Sequence, residues 1–300
     1  MIVENQSNLK VHFAGAEEIE MADILNRIGN IEYLLFSVFK FLAKDFGLKA
    51  VDKKKVKASI NIPTYIEKIS KHSIMDSGLF TLMFGSHSKK WSLKDLEQWY
   101  KLLINFVVEN NYLGTCVEVD CQKVLGVKQA WKFREQMKKD LPNNRQINVF
   151  HKEDGQKGLD ELIEFSDYIA ISVPELRALG QKNYVNKIAY YIKNKKPSID
   201  IHLLGCTEKK ILKELNFCSS SDSTSWLQVN RFGHLKTEAK NAHVSQFTET
   251  FYNYYKEDVI KTLNTFNMIH GENRLKYYAR LGYAGLLLKK DYEKYAGSQD

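Results

Sequence analysis

Short apolar segments alternate with amphipathic segments along most of this chain, and this alternation limits the fold more than any other feature. Eight segments, several rich in β-branched or aromatic side chains, have the pattern of buried strands. They are Lys10–Phe13, Tyr33–Phe36, Ser73–Met75, Thr115–Val119, Ile147–Phe150, Tyr168–Ser172, Ile199–Leu204 and Phe217–Ser219. Helical segments between successive strands imply that the strands run parallel. This number of units fits a closed (β/α)8 barrel of the TIM type better than an open sheet.

The clearest helical pattern covers Ser92–Asn110. Apolar side chains recur there every three or four residues and form one face. Ser92 suits the N-terminal cap, and Asp95 in the first turn suits the positive helix end. Further helices are predicted at Ala16–Ile28, Val124–Lys139, Leu159–Phe165, Lys182–Lys193 and Glu208–Leu215. The C-terminal part is also helical in pattern, so we expect a barrel domain over 1–235 and a helical extension over 236–300 that packs on it.

The composition predicts an intracellular protein with a large core. The chain is 44% hydrophobic, yet no apolar run reaches the roughly 20 residues of a membrane-spanning helix. Residues 1–7 lack the basic start and apolar block of a secretory signal. Cys116, Cys121, Cys206 and Cys218 form no CxxC pair, and we expect them to be reduced, buried thiols. These features predict a cytoplasmic location and no membrane partner.

Basic side chains exceed acidic ones, with 44 Lys plus Arg against 36 Asp plus Glu and a net charge of +8. Lysines cluster within 53–57, 89–90, 193–196 and 209–210. A positive excess favours a polyanionic partner, because phosphate contacts release counterions. A solvated lysine-rich surface has the same composition, so charge alone leaves both interpretations open.

Five ionisable side chains directly follow predicted strands: Asp76, Asp120, His151, Glu175 and Asp222. In a parallel barrel the carboxyl ends of all strands meet at one mouth, where the active sites of such barrels lie. A single aspartate at a strand end is more often a helix cap or turn former than a catalyst. Several in one barrel predict a site with paired carboxylates.

Several motifs follow one another in an order that is similar to that of a known family. They are Asp76-Ser77-Gly78-x-Phe80, Val117-Glu118-Val119-Asp120, Ile169-Ala170-Ile171-Ser172, His202-Leu203-Leu204-Gly205 and Asp222. In this order the chain resembles the tRNA-guanine transglycosylases over roughly residues 70 to 235. That family has an Asp-Ser-Gly-Gly-Phe motif, a base-recognising aspartate, a strand whose backbone contacts the base, a Leu-Met-Gly strand and a nucleophilic aspartate.

The sequence departs from the family in three places. Leu79 replaces the second glycine of the first motif, and Ser223-Thr224-Ser225-Trp226 replaces a Pro-Thr-Arg segment after the nucleophile. The family's Cys-x-Cys-x-x-Cys zinc site has no counterpart in the sequence, so we expect neither that zinc nor another cofactor. The sequence also predicts no appended RNA-binding domain of the kind that many archaeal members carry. The chain therefore most resembles the compact DpdA-type relatives of phages and bacteria, which insert 7-deazaguanine bases into DNA.

The resemblance implies that guanine in a nucleic acid is exchanged for another base through a covalent intermediate. Asp222 would be the nucleophile and Asp76 the general acid and base. Asp120 would accept hydrogen bonds from the base, since a carboxylate is an acceptor only. Further substrate contacts are implied at Ser77, Gly78, Phe80, His151, Ser172, Leu204 and Gly205.

The partners implied by the resemblance are DNA and a 7-deazaguanine base such as preQ0, in the cytoplasm of a bacterium or of a phage host. Three alternatives stay open: a tRNA-directed enzyme of the same superfamily, a catalytically inactive nucleic-acid-binding barrel, and an unrelated barrel glycosidase. A homodimer and an accessory protein also stay open.

Histidine and aromatic side chains near these motifs allow structural interpretations as well. His202 lies on an apolar strand and is interpreted as a hydrogen-bonded core histidine rather than a ligand. His72 and His87 are interpreted as loop or surface residues. Phe80 and Trp226 could stack on an extruded base, or be buried in the barrel wall.

Overall fold

The computed structural model of the chain describes residues 9–48, 61–84, 91–229, 233–236, 241–243, 248–268 and 271–296. The N-terminal residues 1–7, His87 and the lysine clusters predicted within 53–57 and 89–90 lie outside these ranges.

Eight parallel strands close into a barrel in which each strand is hydrogen-bonded to the next and the eighth to the first. The strands are β1 (Lys10–Ala14), β2 (Tyr33–Ser37), β3 (His72–Asp76), β4 (Thr115–Val117), β5 (Gln146–Phe150), β6 (Tyr168–Ser172), β7 (Asp200–Leu204) and β8 (Ser220–Ser223). The closing pair brings Val11 opposite Ser221 and His12 opposite Asp222. The predicted (β/α)8 barrel is confirmed.

Helices lie between successive strands and cover the outside of the barrel. They are α1 (Ile19–Gly29), α2 (Phe39–Leu42), α3 (Ile62–Ile69), α4 (Leu79–Phe84), α5 (Leu93–Glu109), α6 (Gln122–Leu125), α7 (Val127–Asp140), α8 (Gly155–Phe165), α9 (Val173–Ala178), α10 (Tyr184–Lys195) and α11 (Lys209–Glu214). The helix predicted at Val124–Lys139 is divided into α6 and α7 at Gly126, whose φ of 81° interrupts the helical backbone.

The cap predicted for α5 is a reciprocal one. The Ser92 hydroxyl accepts a hydrogen bond from the backbone N–H of Asp95, and the Asp95 carboxylate accepts one from the N–H of Ser92. Two of the unpaired donors at the helix start are thereby satisfied. The apolar face that follows is buried at Leu96, Trp99, Tyr100, Leu103 and Val107, so α5 is fixed both by its cap and by burial.

The eighth strand differs from its prediction. The apolar residues at Phe217–Ser219 predict a strand there, whereas β8 begins at Ser220 and carries Asp222 on the strand itself. Phe217 packs on Tyr190 of α10, with ring centroids 4.9 Å apart. Polar serines form the strand because ladders to β7 and β1 on both sides outweigh their weak intrinsic preference.

Two apolar layers hold the barrel together. The larger one lies between the strands and the surrounding helices. The smaller one fills the barrel interior with Ala14, Leu35, Ile74, Val117, Ile147, Val149, Tyr168 and Ala170. All four cysteines are free and buried, as the sequence predicts. These side chains fill the middle of the barrel, and the carboxyl ends of the strands form its mouth, where the active sites of such barrels lie.

Beyond β8 the chain forms an antiparallel pair, β9 (His234–Lys236) with β10 (Asn241–His243), and two long helices, α12 (Thr248–Thr265) and α13 (Glu272–Ala296). Helix α13 packs against α1 and α12 and reaches β1. Within the described ranges, none of the helices combines the length and apolar character needed to cross a membrane.

Candidate active site

Asp76 is the last residue of β3 and is partly buried at the barrel mouth. Its Oδ2 accepts a hydrogen bond from the backbone N–H of Gly78 at 2.9 Å, which lowers its pKa, and the interaction with the Ser37 side chain at the end of β2 also lowers it. Burial is the main cause that raises the pKa of Asp76 to about 6, and the negative charges of Asp222 and Glu17 raise it further against these two interactions. The carboxyl therefore exchanges its proton near neutral pH.

The turn after Asp76 is held rigidly. Gly78 has a φ of 72°, and a Cβ added to it would lie 2.9 Å from the backbone nitrogen of Phe39, so only glycine fits there. The Trp99 indole donates to the carbonyl of Ser77 at 2.9 Å. Leu79, which replaces a glycine of the family motif, is buried. Phe80, in the first turn of α4, is 71% exposed.

Asp222 lies on β8 and its side chain is 13% exposed. Its Oδ1 accepts a hydrogen bond from the backbone N–H of Gly205 at 2.6 Å. His202 Nε2 lies 3.2 Å from the same oxygen. No described residue donates a hydrogen bond to Oδ2, so one oxygen of the carboxylate is fixed and the other is open.

Gly205 follows β7 and has the left-handed backbone that favours glycine, with φ of 60°. A Cβ added there would lie 2.8 Å from Cγ of Pro174, in the first turn of α9. Each of the two carboxylates is thus bound by the N–H of a left-handed glycine, Gly78 for Asp76 and Gly205 for Asp222. The sequence resemblance identifies both glycines, although it does not predict this shared geometry.

A second group of ionisable side chains lies on the β4 to β6 side of the mouth. His151 Nε2 is 2.7 Å from Asp120 Oδ1, an ion-pair contact, and His151 Nδ1 is 2.5 Å from Glu175 Oε2. Lys123 Nζ lies 3.1 Å from Glu175 Oε1. The predicted convergence of Asp120, His151 and Glu175 is confirmed. One oxygen of Asp120 is therefore already paired with a histidine.

Charge pairing decides the protonation of this group. Burial lowers the pKa of His151, but contacts with Asp120 and Glu175 outweigh burial and raise it to about 10. Burial would raise the pKa of Glu175, but the hydrogen bonds and charges of His151 and Lys123 lower it to about 2. At neutral pH His151 is an imidazolium between two carboxylates.

Below Asp120 the end of β4 is anchored by a buried ion pair. Arg134 of α7 donates to Glu118 through Nε and Nη2, both at 2.7 Å. Glu118 also accepts from the Asn148 amide at 2.6 Å and from the Val149 N–H at 2.9 Å. All acceptor sites of the buried carboxylate are engaged, as burial of a charge requires. This network fixes the strand end from which Asp120 extends.

His151, Glu153 and Glu175 are the described side chains that could hold a metal ion, since one ligand atom of each lies within 4.8 Å of the others. Lys123 Nζ lies 3.7 Å from Glu153 and 3.1 Å from Glu175. The two carboxylates therefore have a cationic partner within the chain itself.

Three histidines line the barrel interior beneath the mouth. His12 Nε2 is 2.8 Å from His72 Nδ1, and His72 Nε2 is 2.9 Å from the Thr115 hydroxyl. The surface or loop position predicted for His72 is wrong, because alternation along β3 directs it inward with Ile74 and Asp76. His202 is fully buried and hydrogen-bonded, as predicted, and it also contacts the carboxylate of Asp222.

The segment after Asp222 is fixed by buried aromatic side chains. Trp226 is fully buried and its indole donates to the carbonyl of Ala14 at 2.9 Å, so its role is structural rather than stacking. Burial raises the pKa of Tyr292 on α13, and its interactions with Ser223, Thr207 and Ser225 lower it. The C-terminal helix therefore supports the strand that carries Asp222.

The other predicted contact residues lie around the same mouth. Ser172 and Leu204 end β6 and β7 and are opposite each other in the ladder. The sequence prediction places Glu175 at the mouth without a role, and it omits Lys123 and the contact of His202 with Asp222. The signal for His202 is its position two residues before Leu204, which places both on one face of β7.

No family model and no curated protein sequence matches the chain.

Proposed function

We propose that this protein is a DNA-guanine transglycosylase that exchanges guanine for a 7-deazaguanine base such as preQ0. The observation that carries the proposal is the pair Asp76 and Asp222. The two carboxyl groups lie at the mouth of one parallel barrel, and the charge of Asp222 acts on the pKa of Asp76. Different surroundings give two such carboxyl groups different roles.

In the first half of the proposed reaction Asp222 is the nucleophile. One carboxylate oxygen forms a bond to C1′ of the target nucleotide, and the C1′–N9 bond breaks with its electron pair moving to guanine. Asp76 donates its proton to the departing base. A pKa of about 6 keeps a fraction of Asp76 protonated near neutral pH while it remains a usable base.

In the second half the incoming 7-deazaguanine reverses these steps. Asp76, now ionised, accepts the N9 proton of the base, and N9 bonds to C1′. The ester bond to Asp222 breaks, which returns the electron pair to the carboxylate. Two carboxyl groups suffice for both halves, so the proposal includes no metal or cofactor.

The target base would be recognised on the β4 to β7 side of the mouth. The Asp120 oxygen that does not face His151 would accept hydrogen bonds from the donor edge of the base. The backbone near Ser172 and Leu204 would contact its other edge. Ser77 and Gly78 would close the pocket below, and exposed Phe80 would stack on the extruded base.

DNA is proposed as the substrate because the sequence lacks the zinc-site cysteines of the tRNA-guanine transglycosylases and most resembles their compact, DNA-acting relatives. The net charge of +8 suits a polyanion. The reaction would take place in the cytoplasm, where the base and DNA are both present, in a bacterium or in a phage-infected host.

The test is to incubate the protein with radiolabelled preQ0 and, in separate reactions, double-stranded DNA, single-stranded DNA and tRNA. Retention of label in DNA, and its absence with Asp222→Ala, is the expected result. Label retained by tRNA alone would overturn the DNA assignment. Binding without exchange would favour an inactive barrel, and release of guanine without an acceptor base would favour a glycosidase.

A further inference from the structure

A continuous line of polar side chains runs from the barrel interior to Asp222. The Tyr168 hydroxyl is 2.5 Å from Oγ of Ser220, and that Oγ is 2.5 Å from Nδ1 of His202. Nε2 of the same imidazole is 3.2 Å from Asp222 Oδ1. The first three residues are at most 3% exposed, so solvent does not compete for these contacts.

The chemistry of the end group fixes the direction of the protons. A carboxylate only accepts, so His202 must carry a proton on Nε2 to bind Asp222. With that single proton on the ring, Nδ1 is an acceptor, and the consistent arrangement has the Ser220 hydroxyl donating to Nδ1 and the Tyr168 hydroxyl donating to Ser220. This tautomer, assigned from the hydrogen-bond network, gives every group a partner and points each proton toward Asp222.

The line ends on the same oxygen that Gly205 binds. Oδ1 of Asp222 thus has two donors, the Gly205 N–H at 2.6 Å and His202 Nε2 at 3.2 Å. Oδ2 has no donor among the residues that the structure describes. The carboxylate is consequently held in one orientation, with its unbound oxygen available.

We propose that His202, held in one tautomer by Ser220 and Tyr168, is a positioning residue that fixes Oδ1 of Asp222 and leaves Oδ2 to attack the sugar. This inference rests on the proposed function. After Oδ2 bonds to C1′, Oδ1 is the carbonyl oxygen of the ester. When the ester bond breaks, negative charge returns to Oδ1, and the two donors stabilise it there.

This role predicts which half of the reaction depends on His202. Replacing His202 with phenylalanine keeps a ring and removes both hydrogen bonds. We expect kcat to fall by about 100-fold, the lower end of the range for loss of one donor to a developing oxyanion, and KM to change little. Breakdown of the ester is slowed more than its formation, so the covalent fraction at steady state rises.

Milder variants separate positioning from packing. His202→Gln keeps an amide donor for Asp222 and restores part of kcat. Ser220→Ala removes the donor to Nδ1, so the imidazole can change tautomer and kcat falls. Tyr168→Phe removes the donor to Ser220 and lowers kcat by a smaller factor. Ser221→Ala is the matched control, because Ser221 lies on the same strand, is also fully buried and has an Oγ without a hydrogen-bond partner among the described residues.

The experiment measures kcat, KM and the covalent protein–DNA fraction after rapid quenching, for wild type and these variants. Lower kcat with a raised covalent fraction in His202→Phe, partial recovery in His202→Gln and no change in Ser221→Ala is the expected result. A kcat within about twofold of wild type, or a covalent fraction that falls together with kcat, overturns the inference. Ser220→Ala decides the matter if His202→Phe does not fold. Wild-type protein without exchange overturns the proposed function instead.

Discussion

The backbone N–H of Gly205 lies 2.6 Å from Oδ1 of Asp222, and it does so because Gly205 adopts a left-handed backbone against Pro174. The nucleophile proposed for this barrel is thus oriented by a turn between two other elements, β7 and α11. Gly78 binds Asp76 in the same way at 2.9 Å.

Gly205→Ala is expected to impair exchange more than it impairs folding. Gly205 has a φ of 60°, and the new Cβ would lie 2.8 Å from Cγ of Pro174. The turn must therefore move, and Asp222 loses the hydrogen bond that the Gly205 N–H donates. We expect exchange to fall by about 10-fold or more and the free energy of unfolding to fall by about 1 to 2 kcal/mol. Exchange kinetics and urea unfolding measure the two effects.

The control for this variant is Gly180→Ala. Gly180 has a similar φ of 69°, and nothing lies within 4 Å of an added Cβ. It should lower stability by about 1 kcal/mol through the backbone alone and leave exchange intact. Equal loss of exchange in both variants would contradict the role assigned to Gly205.

Asp76→Asn should abolish exchange and stabilise the fold at neutral pH. The folded-state pKa of about 6 exceeds the ordinary 3.8, so folding disfavours the charged carboxylate. This cost is absent below pH 3.8, grows as the pH rises to about 6 and is complete above it. Removing this cost in Asp76→Asn should raise the free energy of unfolding by about 1 to 3 kcal/mol above pH 6 and leave it unchanged below pH 4. Urea unfolding at several pH values measures both effects. Stabilisation of equal size at both extremes would exclude the raised pKa as its cause.

His151→Gln should remove a defined part of the pH dependence of stability. Because the folded-state pKa is raised from 6.5 to about 10, the contacts of His151 contribute fully below pH 6.5 and are lost as the pH rises through 10. The pKa of Glu175 is lowered to about 2. Its contacts with His151 therefore contribute fully to the stability above pH 4.5, and this contribution is lost as the pH falls toward 2. We expect the free energy of unfolding of His151→Gln to fall by about 2 to 4 kcal/mol at pH 6, since the variant leaves buried carboxylates without their cationic partner.

The matched variant is His72→Gln. The pKa of His72 is lowered by burial and by nearby positive groups, so His72 is neutral in both states above pH 6.5. Its replacement should leave the slope of stability between pH 6.5 and 10 as in wild type. Thermal unfolding between pH 6.5 and 10 distinguishes the two variants. If stability depends on pH in His151→Gln as it does in wild type, His151 is not protonated in the folded protein.

Phe80→Ala should weaken the use of DNA without weakening the fold. The ring is 71% exposed, so its loss should change the free energy of unfolding by less than about 0.5 kcal/mol. If it stacks on the extruded base, removal costs about 1 to 3 kcal/mol of binding and raises KM at least fivefold. Tyr254→Ala on α12, which is 77% exposed, is the control and should leave KM unchanged.

Periodicity was sufficient to predict the barrel and seven of its strands, because alternating apolar segments have few other parallel arrangements. It failed at β8, where serines form a strand that only its neighbours stabilise. The carboxylates at the mouth were predictable from their position after strands and from the motif resemblance. The contact between His151 and Glu175 was not, because it depends on how the segment after β5 and the first turn of α9 approach in space.

The inward orientation of His72 and the link between His202 and Asp222 follow from strand alternation. To predict these two features one must know exactly where each strand begins and ends, and the sequence pattern predicts strand ends only to within a few residues. Tyr292, which reaches Ser223 from α13, lies far from it in sequence, and no local pattern indicates such a contact.

The most direct test of the account is to incubate the protein with guanine-containing DNA, quench it in acid, digest it and locate the covalently bound nucleotide by mass spectrometry. The account predicts a nucleotide ester on the peptide that contains residue 222, absent in Asp222→Asn. An ester on another residue, or full exchange by Asp222→Ala, would contradict it.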